Sequence, residues 1–71
     1  MILRDAVQSS TITSVGYDTD TQTLEIEFKR GGVYQYMEVP KDVYEEFISE
    51  GSMGQFFNTF IRDYYTSEKL Y

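Results

Sequence analysis

Polar and apolar side chains alternate with period two from Gln22 to Lys29, placing Leu24, Ile26 and Phe28 on one face of a strand and Glu25, Glu27 and Lys29 on the other. The preceding stretch from Ser10 to Tyr17 is rich in Thr and Val and runs into Asp18-Thr19-Asp20-Thr21, a turn-forming cluster, so a first hairpin is predicted. Ile12 and Val15 have opposite parity in that strand. Either one of them faces solvent or a bulge near Gly16 re-aims the chain. Arg30-Gly31-Gly32 then separates the second strand from a third, Val33 to Met37, and the paired glycines supply the positive φ angles that tight hairpins demand. A two-residue loop pairs Phe28 with Val33 or Gln35. A three-residue loop closed by a left-handed glycine pairs Phe28 with Tyr34 and Ile26 with Tyr36, and is preferred because it gathers Leu24, Ile26, Phe28, Tyr34 and Tyr36 on one side.

At Val39-Pro40-Lys41-Asp42 the period changes. Proline suits a first helical turn, Asp42, Glu45 and Glu46 complement the positive end of the macrodipole, and Val43, Tyr44, Phe47 and Ile48 recur at helical spacing up to about Glu50. Gly51 is expected to stop this helix. Ser52 with Gln55 three residues on has the form of a capping box, and Phe56, Phe57, Phe60, Ile61 and Tyr64 give a second helix a wide apolar face. The tail from Thr66 is expected to fray. The result is an α+β fold, a three-stranded antiparallel β-meander followed by two α-helices packed on one face, forming a single domain over residues 1–71.

Composition narrows the chemistry. The 71 residues include five Phe and seven Tyr but no His and no Cys, which excludes Ser-His-Asp and Cys-His nucleophile systems, Cys/His zinc sites and imidazole proton shuttles. Carboxylate catalysis needs a deep pocket that so small a chain rarely encloses, so a non-catalytic protein without cofactor or metal is expected. Asp18-Thr19-Asp20 opens like a calcium loop, but Thr23 and Lys29 stand where the glycine and the bidentate glutamate belong; a polar turn is the simpler reading. The longest apolar run, Met1-Ile2-Leu3, is far too short to span a membrane, and a cytoplasmic location is expected. A domain of this size buries only about 60% of its unfolded surface, so a homodimer would add stability.

Charge divides the candidate partners. A net charge of −6 and a pI near 4.3 oppose non-specific attachment to phosphate backbones. Between residues 38 and 50, five acids face the single base Lys41, which suits a basic protein partner. Against this background Tyr34 and Tyr36, sharing one strand face beside Lys29 and Arg30, would suit base stacking, although a small core needs such bulky residues too. Gly51-Ser52-Met53-Gly54 sets free amides at the start of the second helix, making Ser52 and Gly54 a natural anion site. Asn58 and Arg62 share a helix face able to hold a carboxylate or phosphate.

The order Ser9-Ser10-x-Ile12, Val15-Gly16-Tyr17-Asp18, Leu24-x-Ile26-x-Phe28, Tyr34-Gln35-Tyr36, Val39-Pro40 and Ser52-x-Gly54-x-Phe56-Phe57-Asn58 through Ile61-Arg62 resembles the KTSC domain. That family takes its name from the C-terminus of some lysyl-tRNA synthetases, occurs also as stand-alone bacterial proteins, and centres on a Tyr-x-Tyr motif. The resemblance implies RNA recognition. The acidic pI is reconciled with it if a compact nucleotide or an RNA terminus is held by a few directed contacts. The expected function is therefore a small binding module for RNA or a nucleotide-like ligand, using Tyr34, Tyr36, Lys29, Arg30, Ser52, Gly54, Asn58 and Arg62, with an acidic protein-interaction module as the alternative.

Overall fold

The structure, a computed structural model describing residues 2–71, orders its elements as β1 (Asp5–Ala6), β2 (Ile12–Asp18), β3 (Thr23–Phe28), β4 (Val33–Tyr36), α1 (Lys41–Ser49), α2 (Met53–Phe60) and β5 (Ser67–Lys69). The predicted meander is present as β2, β3 and β4. It is extended at both edges into a five-stranded antiparallel sheet in the order β1-β2-β3-β4-β5. The tail expected to fray is thus a strand. Its side chains are all exposed, and it is held by backbone pairing with β4, helped by Met37 N–H donating to Thr66 C=O at 2.8 Å and Leu70 N–H to Val33 C=O at 2.7 Å.

The parity conflict in β2 is resolved by a bulge between Ile12 and Ser14, not near Gly16. The extra residue lets Ile12 and Val15 both face the core, opposite Phe28 and Ile26. Gly16 serves the other face: a Cβ there would lie 2.3 Å from the Leu3 carbonyl oxygen, so its lack of a side chain lets the N-terminal segment cross the sheet.

The β3–β4 loop has three residues, as predicted, but they are Lys29 to Gly31 and not Arg30 to Gly32. Phe28 N–H donates to Gly32 C=O, Gly31 N–H donates to Phe28 C=O, both at 3.0 Å, and Gly31 closes the turn at φ 109°. The loop begins one residue earlier than the expected pairing requires, so Tyr34 faces Ile26 and Tyr36 faces Leu24. A two-residue shift preserves the face, and both tyrosines stay on the core side.

That side is closed by the helices. Ile12, Val15, Leu24, Ile26, Phe28 and Tyr36 from the sheet meet Val39, Phe47, Met53, Phe56, Phe57 and Ile61 in one cluster. Helix α1 follows an extended Pro40 and ends at an equally extended Glu50, so the stop comes one residue before Gly51. No side-chain cap forms at Ser52 and the expected capping box is absent. Helix α2 stops at Phe60, so Tyr64 falls beyond it; Phe60, Tyr64 and Ile48 of α1 are exposed although the sequence pattern places them on apolar stripes. Among the described residues no helix is long and apolar enough to cross a membrane.

Candidate functional site

On the helix-covered side, where the sheet edge runs past α2, a pocket of about 450 Å³ opens to solvent. Its floor is aromatic. Phe28 meets Tyr34 edge-on at 5.7 Å and Phe57 at 5.2 Å, Phe57 meets Tyr36 at 5.3 Å, and the Tyr34 and Tyr36 rings lie 6.5 Å apart and 28° from parallel. The Tyr-x-Tyr alternation of β4 puts both rings on the core face; Asn58 on α2 and Arg62 in the turn beyond its end, whose N–H donates to Phe57 C=O at 2.9 Å, line the same wall, so the two do not share a helix face as their spacing predicts. Arg30 from the hairpin, Thr11 from the approach to β2 and Ser67 from β5 complete the rim.

Tyr36 is buried and packs as core, while Tyr34 remains half-open, so the two tyrosines divide the roles of scaffold and surface. Burial, reinforced by the neighbouring Tyr34 phenol, pushes the Tyr36 hydroxyl up to about 12, with Arg62 pulling in the opposite direction. Tyr36 is therefore a neutral hydrogen-bond donor throughout the physiological range. Arg30 and Arg62 bring two guanidinium groups, and among the described residues no carboxylate lines the pocket. Arg62 approaches Asp63 at 3.6 Å, but both side chains are largely exposed and such a pair holds the guanidinium only weakly. In a chain of net charge −6 this is a cationic, aromatic, hydrogen-bonding concavity.

Five of the eight expected site residues converge here: Arg30, Tyr34, Tyr36, Asn58 and Arg62. Lys29, Ser52 and Gly54 do not line the pocket. Ser52 borders a separate shallow hollow with Glu50 and Phe60. Gly54 is buried where a Cβ would come within 2.8 Å of Thr11 Oγ1, so the N-terminus of α2 is packed against the chain rather than offered to an anion. Thr11, Phe28, Phe57 and Ser67 also line the pocket, beyond the residues that the sequence points to. Phe28 and Phe57 carried only a packing signal, and Ser67 belongs to a strand without side-chain patterning.

The sequence profile of the KTSC domain matches residues 8–65. The chain belongs to the KTSC domain family. The crystal structure of the KTSC domain protein YPO2434 from Yersinia pestis superposes with a TM-score of 0.96 at 39% identity, each chain covered in full. An uncharacterized protein of Stutzerimonas stutzeri is 44% identical over 55 residues, 78% of both chains. A lysine–tRNA ligase of Nostoc punctiforme is 43% identical over 63 residues, which is 89% of this chain and 11% of the ligase. The KTSC fold thus occurs both as a small protein and as a short part of a much larger one.

Proposed function

We propose that this KTSC protein is a binding module that takes one nucleotide-like unit, a mononucleotide or the terminal nucleotide of an RNA, into the pocket between β4 and α2. The observation that carries the reading is the placement of two arginines, and no carboxylate among the described residues, around an aromatic floor in a chain otherwise dominated by acids. Tyr34 offers a half-open ring to a base. Arg30 and Arg62 supply charge-assisted hydrogen bonds to a phosphate, and Asn58, Thr11, Ser67 and the neutral Tyr36 phenol supply directed polar contacts. The volume of about 450 Å³ lies in the range of small-ligand pockets, and the acidic remainder of the surface disfavours binding along a phosphate backbone. The resemblance to a segment of lysine–tRNA ligases, whose substrate is a tRNA, supports the choice of ligand class. The lining offers cations and hydrogen bonds, with no carboxylate to relay a proton among the described residues and no imidazole or thiol in the sequence, which favours holding over reacting.

Calorimetric titration with mononucleotides and short RNAs tests this. Binding should be saturable and carry a shallow salt dependence, about one or two phosphates' worth of counterion release. It should weaken about tenfold or more in Arg62→Gln or Arg30→Gln. Absence of binding at low salt, or affinity that grows steadily with RNA length, overturns the reading.

A further inference from the structure

Helix α2 has a second face, turned away from the pocket. Phe56 and Phe60 lie there with ring centroids 4.9 Å apart; Phe56 is buried, but Phe60 is 55% exposed. Two shallow hollows flank the Phe60 ring. One, about 220 Å³, is bordered by Val43, Tyr65 and Glu46; the other, about 290 Å³, is bordered by Glu50 and Gln55. No base lines either hollow among the described residues. Glu46 occupies the last turn of α1 and Glu50 is its C-cap, with no basic residue in that turn. Both carboxylates thus sit at the negative end of the helix dipole, where acids are disfavoured and cations favoured. Like charges four residues apart on one helix add a further repulsion. An uncovered aromatic ring beside this concentrated negative potential is a surface whose complement is cationic and apolar together.

We propose that the Phe60 ridge is a docking surface for a basic amphipathic segment of a partner protein, whose Arg or Lys lies over the Phe60 ring between Glu46 and Glu50. Such a cation gains the ring quadrupole, the helix dipole and charge-assisted hydrogen bonds at once, while its apolar neighbours fill the hollows. A second copy of this chain is a poor occupant, because a two-fold pairing through this face would bring the Glu46 and Glu50 carboxylates of both copies into one interface with no base lining it among the described residues. RNA is excluded from it by the same charge. The surface shares no lining residue with the nucleotide pocket, so the two readings stand or fall separately.

The probe is a synthetic amphipathic peptide of Arg and Leu, titrated into the isotopically labelled chain and followed by NMR, beside its Glu-for-Arg counterpart and an Arg-only peptide. Shifts centred on Phe60, Phe56, Glu46, Glu50 and Val43 are expected with the Arg-Leu peptide, and weaker ones with either control. Affinity should drop about tenfold in Phe60→Ser and in Glu46→Gln/Glu50→Gln, and stay unchanged in Arg62→Gln. The double glutamine variant alters only exposed side chains, so it reports on docking even if loss of Phe60 perturbs the fold. Shifts spread evenly over all acidic positions, equal binding by the Arg-only peptide, or affinity indifferent to these substitutions overturns the proposal. So does self-association abolished by Phe60→Ser, which would make a second copy the occupant.

Discussion

On the helix-covered face of the sheet, Ile12, Val15, Leu24 and Ile26 are sealed by Phe47, Phe57 and Ile61; on the opposite face, Ser14, Thr23 and Glu25 are buried instead. The opposite face has no helix over it. The N-terminal segment crosses Gly16, and Arg4 reaches Glu25 in an ion pair while its Nε–H donates to Ser14 Oγ at 3.1 Å. Gln35 Nε2 donates to the other Glu25 oxygen at 3.0 Å and Ser14 Oγ–H to Glu27 at 2.9 Å. Among the described residues no buried side-chain nitrogen or oxygen lacks a partner. One face is thus closed by apolar area, the other by a polar lattice, and the aromatic pocket lies at the edge of the apolar face. Buried polar atoms already paired in this way have little left to offer a ligand.

The sharpest way to break the apolar face is Phe47→Ala. Phe47 is fully buried, and truncation should cost about 3–5 kcal/mol in chemical denaturation, comparable with the whole stability expected of a domain this small. On the polar face, Arg4→Ala leaves the Glu25 carboxylate buried with Gln35 as its remaining partner, and about 1–3 kcal/mol should be lost. Adding Glu25→Gln should recover part of that loss, because no unpaired charge then remains. Gly16→Ala should have a smaller effect, about 1–2 kcal/mol, since the new methyl group displaces a terminal segment able to lift away. Its signature is lost hydrogen-exchange protection at Val7, whose N–H donates to Thr13 C=O just beyond the displaced strand. The smallest effect is on pH dependence. The Tyr36 hydroxyl titrates higher in the folded chain than its usual 10, so its stabilising contribution is complete below pH 10 and disappears as pH rises towards about 12. Tyr36→Phe should flatten that alkaline loss of stability, while Tyr17 and Tyr44, both raised chiefly by burial, leave a residual slope.

The contrast between the faces also explains what could be read from the sequence. Strand β3, the turn at Asp18, the glycine-closed hairpin and both helices were legible, because alternation, turn chemistry and helical period are local signals. So was the placing of Tyr34 and Tyr36 on one face, since side-chain parity survives a two-residue error of register, whereas Arg62 reaches the pocket from the turn after α2 and not from the helix face that its spacing from Asn58 predicts. The buried state of Glu25 was not legible, because a carboxylate alternating with leucine and isoleucine reads as a solvated face until Arg4, twenty-one residues away, is brought to it. Strands β1 and β5 were missed for a related reason: two and three exposed residues held by main-chain hydrogen bonds leave no side-chain pattern. Opposite parity of Ile12 and Val15 allows either a solvent-facing residue or a bulge near Gly16, since glycine commonly marks one; the bulge is instead at Thr13, and the glycine makes room for a crossing chain.

The most direct test of the nucleotide reading is NMR shift mapping of the intact chain with a mononucleotide. Saturable shifts at Arg30, Tyr34, Asn58, Arg62 and Ser67, with Ser14, Glu25, Glu27 and Gln35 silent, are the expected result. Shifts centred on the polar face, or none at any nucleotide concentration, would contradict it.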